Sequence, residues 1–274
     1  MHKTEFPINA GALMVKLSAA AAVFLAACLL AVPGQAFYPE TEALADRIQG
    51  RVGQVESLQV ELSLPEAPRL KIAVWKSGRQ WRQEWIVQKE SGLKVAAAAL
   101  GRGKSLRDVY PDQERFPLPF SVFWYQAPVQ EWWSRLGIDT EIKSYQFVSG
   151  QPCLVLGAEY KEWHSPQMWI HNQEVYPVRL FTRRGMIWHW KDYRSVGNHP
   201  VPHGLEITFP DGRLIRFELD WRGINVDLPE RLFDEQAFAE KFGRAAWSSP
   251  DIPLYDFLMS NLPAAGSTRS FNGE

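Results

Sequence analysis

Histidines are the residues of this sequence whose type and spacing come closest to a chemical site. Five of the six lie between residues 164 and 203, and neutral imidazole is a common metal ligand. His164, His171 and His189 fall on different predicted segments, while His199 and His203 belong to HPVPH, which is predicted to be a loop. Neither HExxH nor CxxC accompanies them, so the sequence predicts no metal site.

Other motifs typical of enzymes are equally weak. GRGKS at residues 101–105 lacks the spacing of a phosphate-binding GxxxxGK[ST] loop, and the sequence contains no GxSxG. The acidic residues lie mostly on the polar faces of predicted strands, where a solvated charge is the usual state. We therefore predict that the protein is not an enzyme and uses no cofactor.

The composition limits the other classes of protein to which this chain can belong. With 274 residues, of which 46% are hydrophobic, the chain is long enough to bury a full core, and we expect one domain. A net charge of −1 argues against a nucleic-acid partner and against a polybasic membrane anchor. Twelve tryptophans, all after residue 74, provide large and rigid apolar surface.

Residues 1–36 have the anatomy of a secretory signal peptide. Lys16 precedes an apolar run at residues 17–32, and small residues precede a cleavage site after Ala36. The run is short for a membrane span, which needs about 20 apolar residues. The sequence therefore predicts export to the periplasm.

The same segment contains LAAC at residues 25–28, which resembles a lipobox ending at Cys28. Lipidation of Cys28 would anchor the protein at the outer membrane. The apolar run continues through residue 32, which favours cleavage after Ala36 instead. Cys153 is then the single cysteine of the mature chain, and its apolar surroundings predict a buried thiol without a disulfide.

After an amphipathic helix that begins at Thr41, short alternating segments predict an antiparallel meander. Ile215, Phe217, Leu219 and Trp221 share one side of such a segment, so one sheet face should be apolar and the other should meet water. A short helix near Phe238 closes the pattern. Residues 246–274 are expected to form a loose C-terminal tail.

A second helix is predicted after Pro128. Val129, Trp132, Trp133 and Leu136 fall at positions i, i+3, i+4 and i+7 and form one apolar stripe. Two interpretations stay open: the helix plugs the core, or it is a lid over a curved sheet whose indoles contact a ligand.

An apolar sheet face rich in tryptophan suits two classes of ligand. Sugars stack on exposed indoles, and Trp81 and Trp85 alternate with polar residues, as a sugar platform requires. The accompanying aliphatic side chains favour acyl chains, whose burial contributes about 0.8 kcal/mol per CH₂. The predicted lipid-binding cavity and lid comprise Val60, Leu62, Ile72, Val74, Trp81, Trp85, Trp124, Trp132, Trp133, Trp188, Trp190, Ile215, Phe217 and Leu219.

Two motifs carry a family resemblance. The first is WIHN at residues 169–172 followed by Tyr176-Pro177-Val178-Arg179, and the second combines Asn225, Leu228, Pro229, Leu232 and Phe233. Together with the export signal and the N-terminal helix, they make residues 41–235 resemble the LolA/LolB superfamily of periplasmic lipoprotein carriers and receptors.

The resemblance implies a mainly β (α+β) fold over residues 37–245. A strongly curved antiparallel sheet would form an incomplete barrel that helices close, around a cavity for acyl chains. The family often carries an Arg-Pro pair whose arginine is linked to the lid. This chain lacks the pair, and Arg79 or Arg82 would take that role.

The expected function is that of a monomeric periplasmic carrier that shields the acyl chains of a lipid or lipoprotein during outer-membrane lipoprotein sorting. The resemblance implies an inner-membrane transporter and an outer-membrane receptor as partners. The alternative is an extracytoplasmic lipid-sensing regulator or envelope scaffold of the same fold, without carrier activity and with a sheet filled by its own side chains.

Overall fold

The computed structural model describes residues 38–103, 105–113, 115–117, 128–243, 253–261 and 264–267. The predicted signal peptide, Cys28 and Trp124 lie outside these residues.

One sheet organises the described chain. Its strands are β1 (Ser57–Ser63), β2 (Leu70–Ser77), β3 (Gln80–Lys89), β4 (Gly92–Arg102), β5 (Ser105–Tyr110), β6 (Arg115–Pro117), β7 (Lys143–Val148), β8 (Gln151–Leu156), β9 (Gln167–His171), β10 (Pro177–Phe181), β11 (Ile187–Val196), β12 (His199–Thr208), β13 (Leu214–Ile224) and β14 (Ala264–Ser267). Their order is β6-β14-β5-β4-β3-β2-β1-β13-β12-β11-β10-β9-β8-β7. The ladders are antiparallel except for the parallel pair β14–β5. Because β6 and β7 end the order, the sheet is not closed into a barrel, and the prediction of a mainly β half-barrel is confirmed.

In the described part of the chain, four α-helices and a 3₁₀ helix accompany the sheet. They are α1 (Thr41–Val52), α2 (Val129–Leu136), the 3₁₀ helix (Glu230–Phe233), α3 (Glu235–Phe242) and α4 (Pro253–Asn261). Helix α2 begins after Pro128 and ends at Gly137, whose φ of 75° suits a residue without a side chain. The Asp234 carboxylate caps α3 by accepting from the backbone N–H of Ala237, at 2.7 Å. Among the described residues, no helix is both long and apolar enough to cross a membrane.

The inner face of the sheet is the face that packs against α1 and α2. Alternation along each strand sends every second side chain to it, such as Leu154 and Leu156 of β8. Together with Ile48 of α1 and Trp133 of α2 they belong to one contiguous buried cluster, called here the inner cluster. Burying apolar area on this scale is the main stabilising contribution to such a fold.

The outer face is also apolar in two places, contrary to the expectation that it meets water. Ala98 and Leu100 of β4 pack beneath α3 against Phe238. Near the other edge of the sheet, Cys153 and Trp169 belong to a second buried outer cluster. Both faces are therefore covered where the sequence runs apolar without alternation, as in AAAAL at residues 96–100.

HPVPH is not a loop. It begins β12, where Pro200 lies opposite Ser195 and Pro202 opposite Tyr193 of β11. The ladder to β13 starts only at Gly204, so the first half of β12 is paired on one side. Proline is tolerated there because no second ladder needs its missing N–H.

The expectation of a loose tail is wrong for residues 253–261 and 264–267, which the structure describes. Helix α4 buries Tyr255 and Leu258 in the inner cluster. Strand β14 lies between β5 and β6 in the sheet. This part of the chain completes the folded unit.

Candidate functional site

The predicted cavity residues lie together on the inner face. Those that belong to the inner cluster are Val60, Leu62, Ile72, Val74, Trp81, Trp85, Trp132, Trp133, Trp188, Phe217 and Leu219. Trp190 and Ile215 are partly buried and pack against the cluster. The structure thus brings together every described member of the predicted set.

Helix α2 covers this cluster with its apolar stripe. Val129, Trp132 and Trp133 are buried, while Glu131 and Arg135 face outward and form an ion pair of 2.9 Å. This amphipathic division follows from the i, i+3, i+4 spacing of the apolar residues. Both the plug and the lid interpretation require this placement.

Trp81 is held rigidly on the inner face. Its indole Nε1 donates to the carbonyl oxygen of Gly103 at 2.8 Å. The ring lies over Gly101, opposite it on β4, where an added Cβ would be 2.2 Å from Trp81 Cζ2. A glycine is therefore needed at residue 101 to make room for the indole.

Trp85 is held by apolar contacts instead. Its ring meets that of Tyr255 edge to face at 5.0 Å, and Tyr255 meets Phe116 in the same way at 5.7 Å. The Tyr255 hydroxyl is hydrogen-bonded to the side-chain amide of Gln113. Within the described part of the chain, the buried Nε1 of Trp85 has no hydrogen-bond partner. It is an available donor inside an apolar region.

The sequence prediction missed Tyr255 and Leu258. The apolar stretch PLYDFLM at residues 253–259 is the signal that could have identified them.

Lys76 is a further residue of the inner face that sequence reasoning missed. It follows Ile72 and Val74 at the two-residue spacing of β2, and its ladder partners are Leu58 of β1 and Trp81 of β3. Lys76 is only 2% exposed, and burial lowers the pKa of its ammonium group to about 8. The alternation of β2 alone would have placed it on the inner face.

Arg82 does not link the sheet to α2. It lies on the outer face with Glu84, and its Nε donates to Glu84 Oε1 at 2.8 Å. Lys241 of α3 reaches the same oxygen at 2.9 Å, and the Arg82 guanidinium lies 5.3 Å from the ring centroid of Phe238. Arg82 therefore joins the sheet to α3, beside a cavity of about 440 Å³.

Arg79, the other candidate for the lid-linking role, lies in the exposed turn between β2 and β3. Its carbonyl oxygen accepts from the N–H of Gly103 at 2.9 Å.

A cleft of about 420 Å³ lies at one end of the sheet, between the end of α1 and the β11–β12 hairpin. Its rim is polar and includes Arg51, whose Nη1 lies 3.1 Å from Glu174 Oε2. Ile48 and Val55 line the cleft and also belong to the inner cluster. The cleft thus reaches the side chains of the cluster from outside.

The histidines do not form a metal centre in the part of the chain that the structure describes, where no group of three or more potential ligands is found. His171 Nδ1 accepts from the N–H of Glu174 at 3.1 Å. Burial, with the charges of Arg179 and Lys191, lowers the pKa of His189 to about 4. His189 is therefore neutral at physiological pH.

No protein-family model and no curated protein sequence matches this chain. Solved structures do resemble it. A domain described as outer membrane lipoprotein-sorting, from Vibrio parahaemolyticus, has 14% identity and a TM-score of 0.47, over 72% of this chain and 98% of its own. A LolA superfamily protein from Nitrosomonas europaea has 10% identity and a TM-score of 0.45, over 73% and 99%.

A DUF1329 family protein from Desulfovibrio piger has 12% identity and a TM-score of 0.41, over 71% of this chain and 96% of its own. At these identities the likeness is one of fold.

Proposed function

We propose that this protein is a non-enzymatic, periplasmic lipid-binding protein that shields acyl chains against the inner face of its half-barrel. The observation that carries the proposal is the inner cluster itself, which joins aliphatic side chains of β1 and β2 with the indoles of Trp85 and Trp133 beneath α2. The sequence resemblance supports a role in carrying lipoproteins toward the outer membrane, between an inner-membrane transporter and an outer-membrane receptor.

The burial of the indoles favours acyl chains over sugars. A sugar platform needs exposed aromatic faces next to solvated hydrogen-bonding groups. Trp81, Trp85 and Trp133 are instead at most 1% exposed. An acyl chain would exchange contacts with these side chains when α2 moves, whereas a sugar would leave its hydroxyl groups without partners.

The same burial supports the second candidate, a lipid-sensing regulator or scaffold whose sheet is filled by its own side chains. The two candidate functions differ in whether α2 moves away from the inner cluster when a ligand binds. A carrier must release its helix from the cluster to admit a chain, and a filled scaffold keeps it in place.

The test is uptake of a fluorescent fatty-acid probe by delipidated protein, together with native mass spectrometry of gently purified protein. We expect co-purified lipid and saturable probe binding. Trp132→Glu places a carboxylate in the cluster and should weaken probe binding at least tenfold. Glu131→Gln, on the exposed face of the same helix, is the matched control and should bind the probe like the wild type.

Circular dichroism separates lost binding from lost folding in the Trp132→Glu variant. A folded wild-type protein that carries no lipid and takes up no probe would contradict the carrier role and favour the filled scaffold.

A further inference from the structure

The inner face carries a lysine whose side chain is almost entirely buried. Among the described residues, the charged side chains that are buried are Lys76, Arg82 and Glu84. Arg82 and Glu84 neutralise each other on the outer face. Lys76 lies on the opposite face, within the inner cluster's row of Ile72 and Val74.

The surroundings of Lys76 provide no counter-ion in the described part of the structure. Its ladder partners Leu58 and Trp81 are apolar and buried. The ionisable residues of the adjacent turns, Glu56 and Arg79, are exposed. Among the described residues, no salt bridge involves the Lys76 ammonium group.

A buried charge without a partner is unfavourable, and perturbed ionisable groups in apolar surroundings are typical of functional sites. Burial lowers the pKa of Lys76 only to about 8, so the side chain is still mostly protonated at neutral pH. A methionine would fill the same space without this cost. The lysine therefore favours an anionic partner that the described part of the chain does not provide.

We propose that Lys76 binds the acidic headgroup, a carboxylate or a phosphate, of a ligand whose acyl chain lies along the inner face. The proposal rests on the proposed function, since it names the class of lipid that the inner face admits. From Lys76 the apolar row of β2 continues through Val74 and Ile72, over roughly 13 Å at 3.3 Å per residue.

Two features of the row suit such a ligand. Trp81, next to the ammonium group, is fixed by its bond to Gly103 and provides a rigid wall. Trp85 of β3 lies opposite Ile72 of β2. Its Nε1 donor is available to an ester or carboxyl oxygen of a ligand whose acyl chain lies in the reverse orientation. Only the Lys76 end of the row offers a full charge.

The experiment compares three probes that share an oleoyl chain: oleate, its neutral methyl ester and oleoyl lysophosphatidate. Each is titrated into delipidated wild-type protein, Lys76→Met and Lys71→Met. Lys71 is the matched control, because it lies on the same strand with its side chain exposed and 3.8 Å from Glu61.

We expect wild-type protein and Lys71→Met to bind an acidic probe at least tenfold more tightly than the methyl ester. Lys76→Met should lose this preference and keep its affinity for the ester. Preference for oleate identifies a carboxylate headgroup, and preference for lysophosphatidate identifies a phosphate.

If Lys76→Met binds all three probes like the wild type, the inference about Lys76 is overturned while the lipid-binding function stands. If the folded wild-type protein binds none of the probes, the proposed function itself fails.

Discussion

Trp85 of β3 and Tyr255 of α4 meet edge to face in the inner cluster, with ring centroids 5.0 Å apart and ring planes at 80°. The contact joins the central strands to a helix that follows all but one strand in the sequence. Edge-to-face aromatic pairs contribute about 0.5–1.5 kcal/mol beyond the burial of their area. Helix α4 is therefore part of the core around the candidate site.

Tyr255→Ala should lower the free energy of unfolding by about 3–5 kcal/mol, as large aromatic-to-alanine changes in a core do. The ring is fully buried and contacts both Trp85 and Phe116, so its loss leaves a cavity. Urea unfolding followed by tryptophan fluorescence measures the change. Ser260→Ala, at an exposed position of the same helix, should change stability by less than about 0.5 kcal/mol. Equal effects of the two substitutions would mean that α4 does not pack on the sheet.

Gly101→Ala and Gly50→Ala should have effects of opposite sign. At residue 101 the new methyl group would overlap the indole of Trp81, which cannot move because it is buried and bonded to Gly103. Such overpacking costs about 1–3 kcal/mol or more. Gly50 lies in α1 with nothing within 4 Å of an added Cβ, so alanine should stabilise the helix by up to about 1 kcal/mol. Thermal unfolding of the two variants checks the prediction, and two shifts of Tm in the same direction would contradict it.

Glu84→Gln should destabilise the protein by about 3–5 kcal/mol, because it leaves the Arg82 guanidinium buried without a counter-ion. The side chains of Arg82 and Glu84 are 4% and 5% exposed. Glu131→Gln removes an exposed i,i+4 pair and should cost only about 0.3–0.5 kcal/mol. The measurement is the free energy of unfolding in urea.

A double variant separates the charge from the packing. Arg82→Met with Glu84→Leu should be less destabilised than Glu84→Gln, since no buried charge is left without a partner. If the double variant is instead less stable than Glu84→Gln, the ion pair itself stabilises the fold. The two charges then do more than neutralise each other.

The predictable part of the fold follows from regular alternation. In β13, Phe217 and Leu219 reach the inner cluster while Arg216 and Glu218 are exposed, as period-2 spacing requires. Helix α2 was predictable for a similar reason, because Trp132 and Trp133 belong to an apolar stripe with helical spacing. These patterns alone place most of the candidate site on one face of the sheet.

The parts that were not predictable depend on distant partners. Strand β14 is a four-residue segment, AAGS, whose pairing with β5 and β6 leaves no trace in its own composition. The burial of Arg82 and Glu84 depends on α3, whose Lys241 lies 157 residues after Glu84 in the sequence. Alternation along β2 would place Lys76 on the inner face. Only the structure shows that no counter-ion lies beside it among the described residues.

Lys76 should make the stability of the protein depend on pH in a recognisable way. Its pKa is 10.5 in an unfolded chain and about 8 in the fold. Below pH 8 both states are protonated, so folding buries a charge at full cost. Above pH 10.5 both states are neutral and the cost is absent. Because the unfolded state binds more protons in between, this residue makes the free energy of unfolding rise between about pH 8 and 10.5.

Other groups oppose this rise at high pH. Burial raises the pKa of the Cys153 thiol to about 11 and raises that of the Tyr255 hydroxyl as well, so both destabilise the fold when the pH exceeds their usual values. The wild-type profile therefore mixes contributions of both signs. The difference between the wild type and Lys76→Met isolates the lysine, since the thiol and the hydroxyl are the same in both proteins.

At pH 7 Lys76→Met should be more stable than the wild type by about 3 kcal/mol, from 1.36 kcal/mol per pKa unit. This advantage should shrink through pH 8–10.5 and vanish above it, in urea unfolding of the two delipidated proteins at a series of pH values. Leu58 and Trp81 beside the ammonium group do not titrate in this range. A difference that stays constant with pH would show that the ammonium group is solvated as in the unfolded chain. We therefore expect Lys76→Met to change two properties in opposite directions. The ligand-free protein should become more stable at pH 7, and the preference for an acidic headgroup should be lost. Together these changes would explain a destabilising lysine by its role in binding.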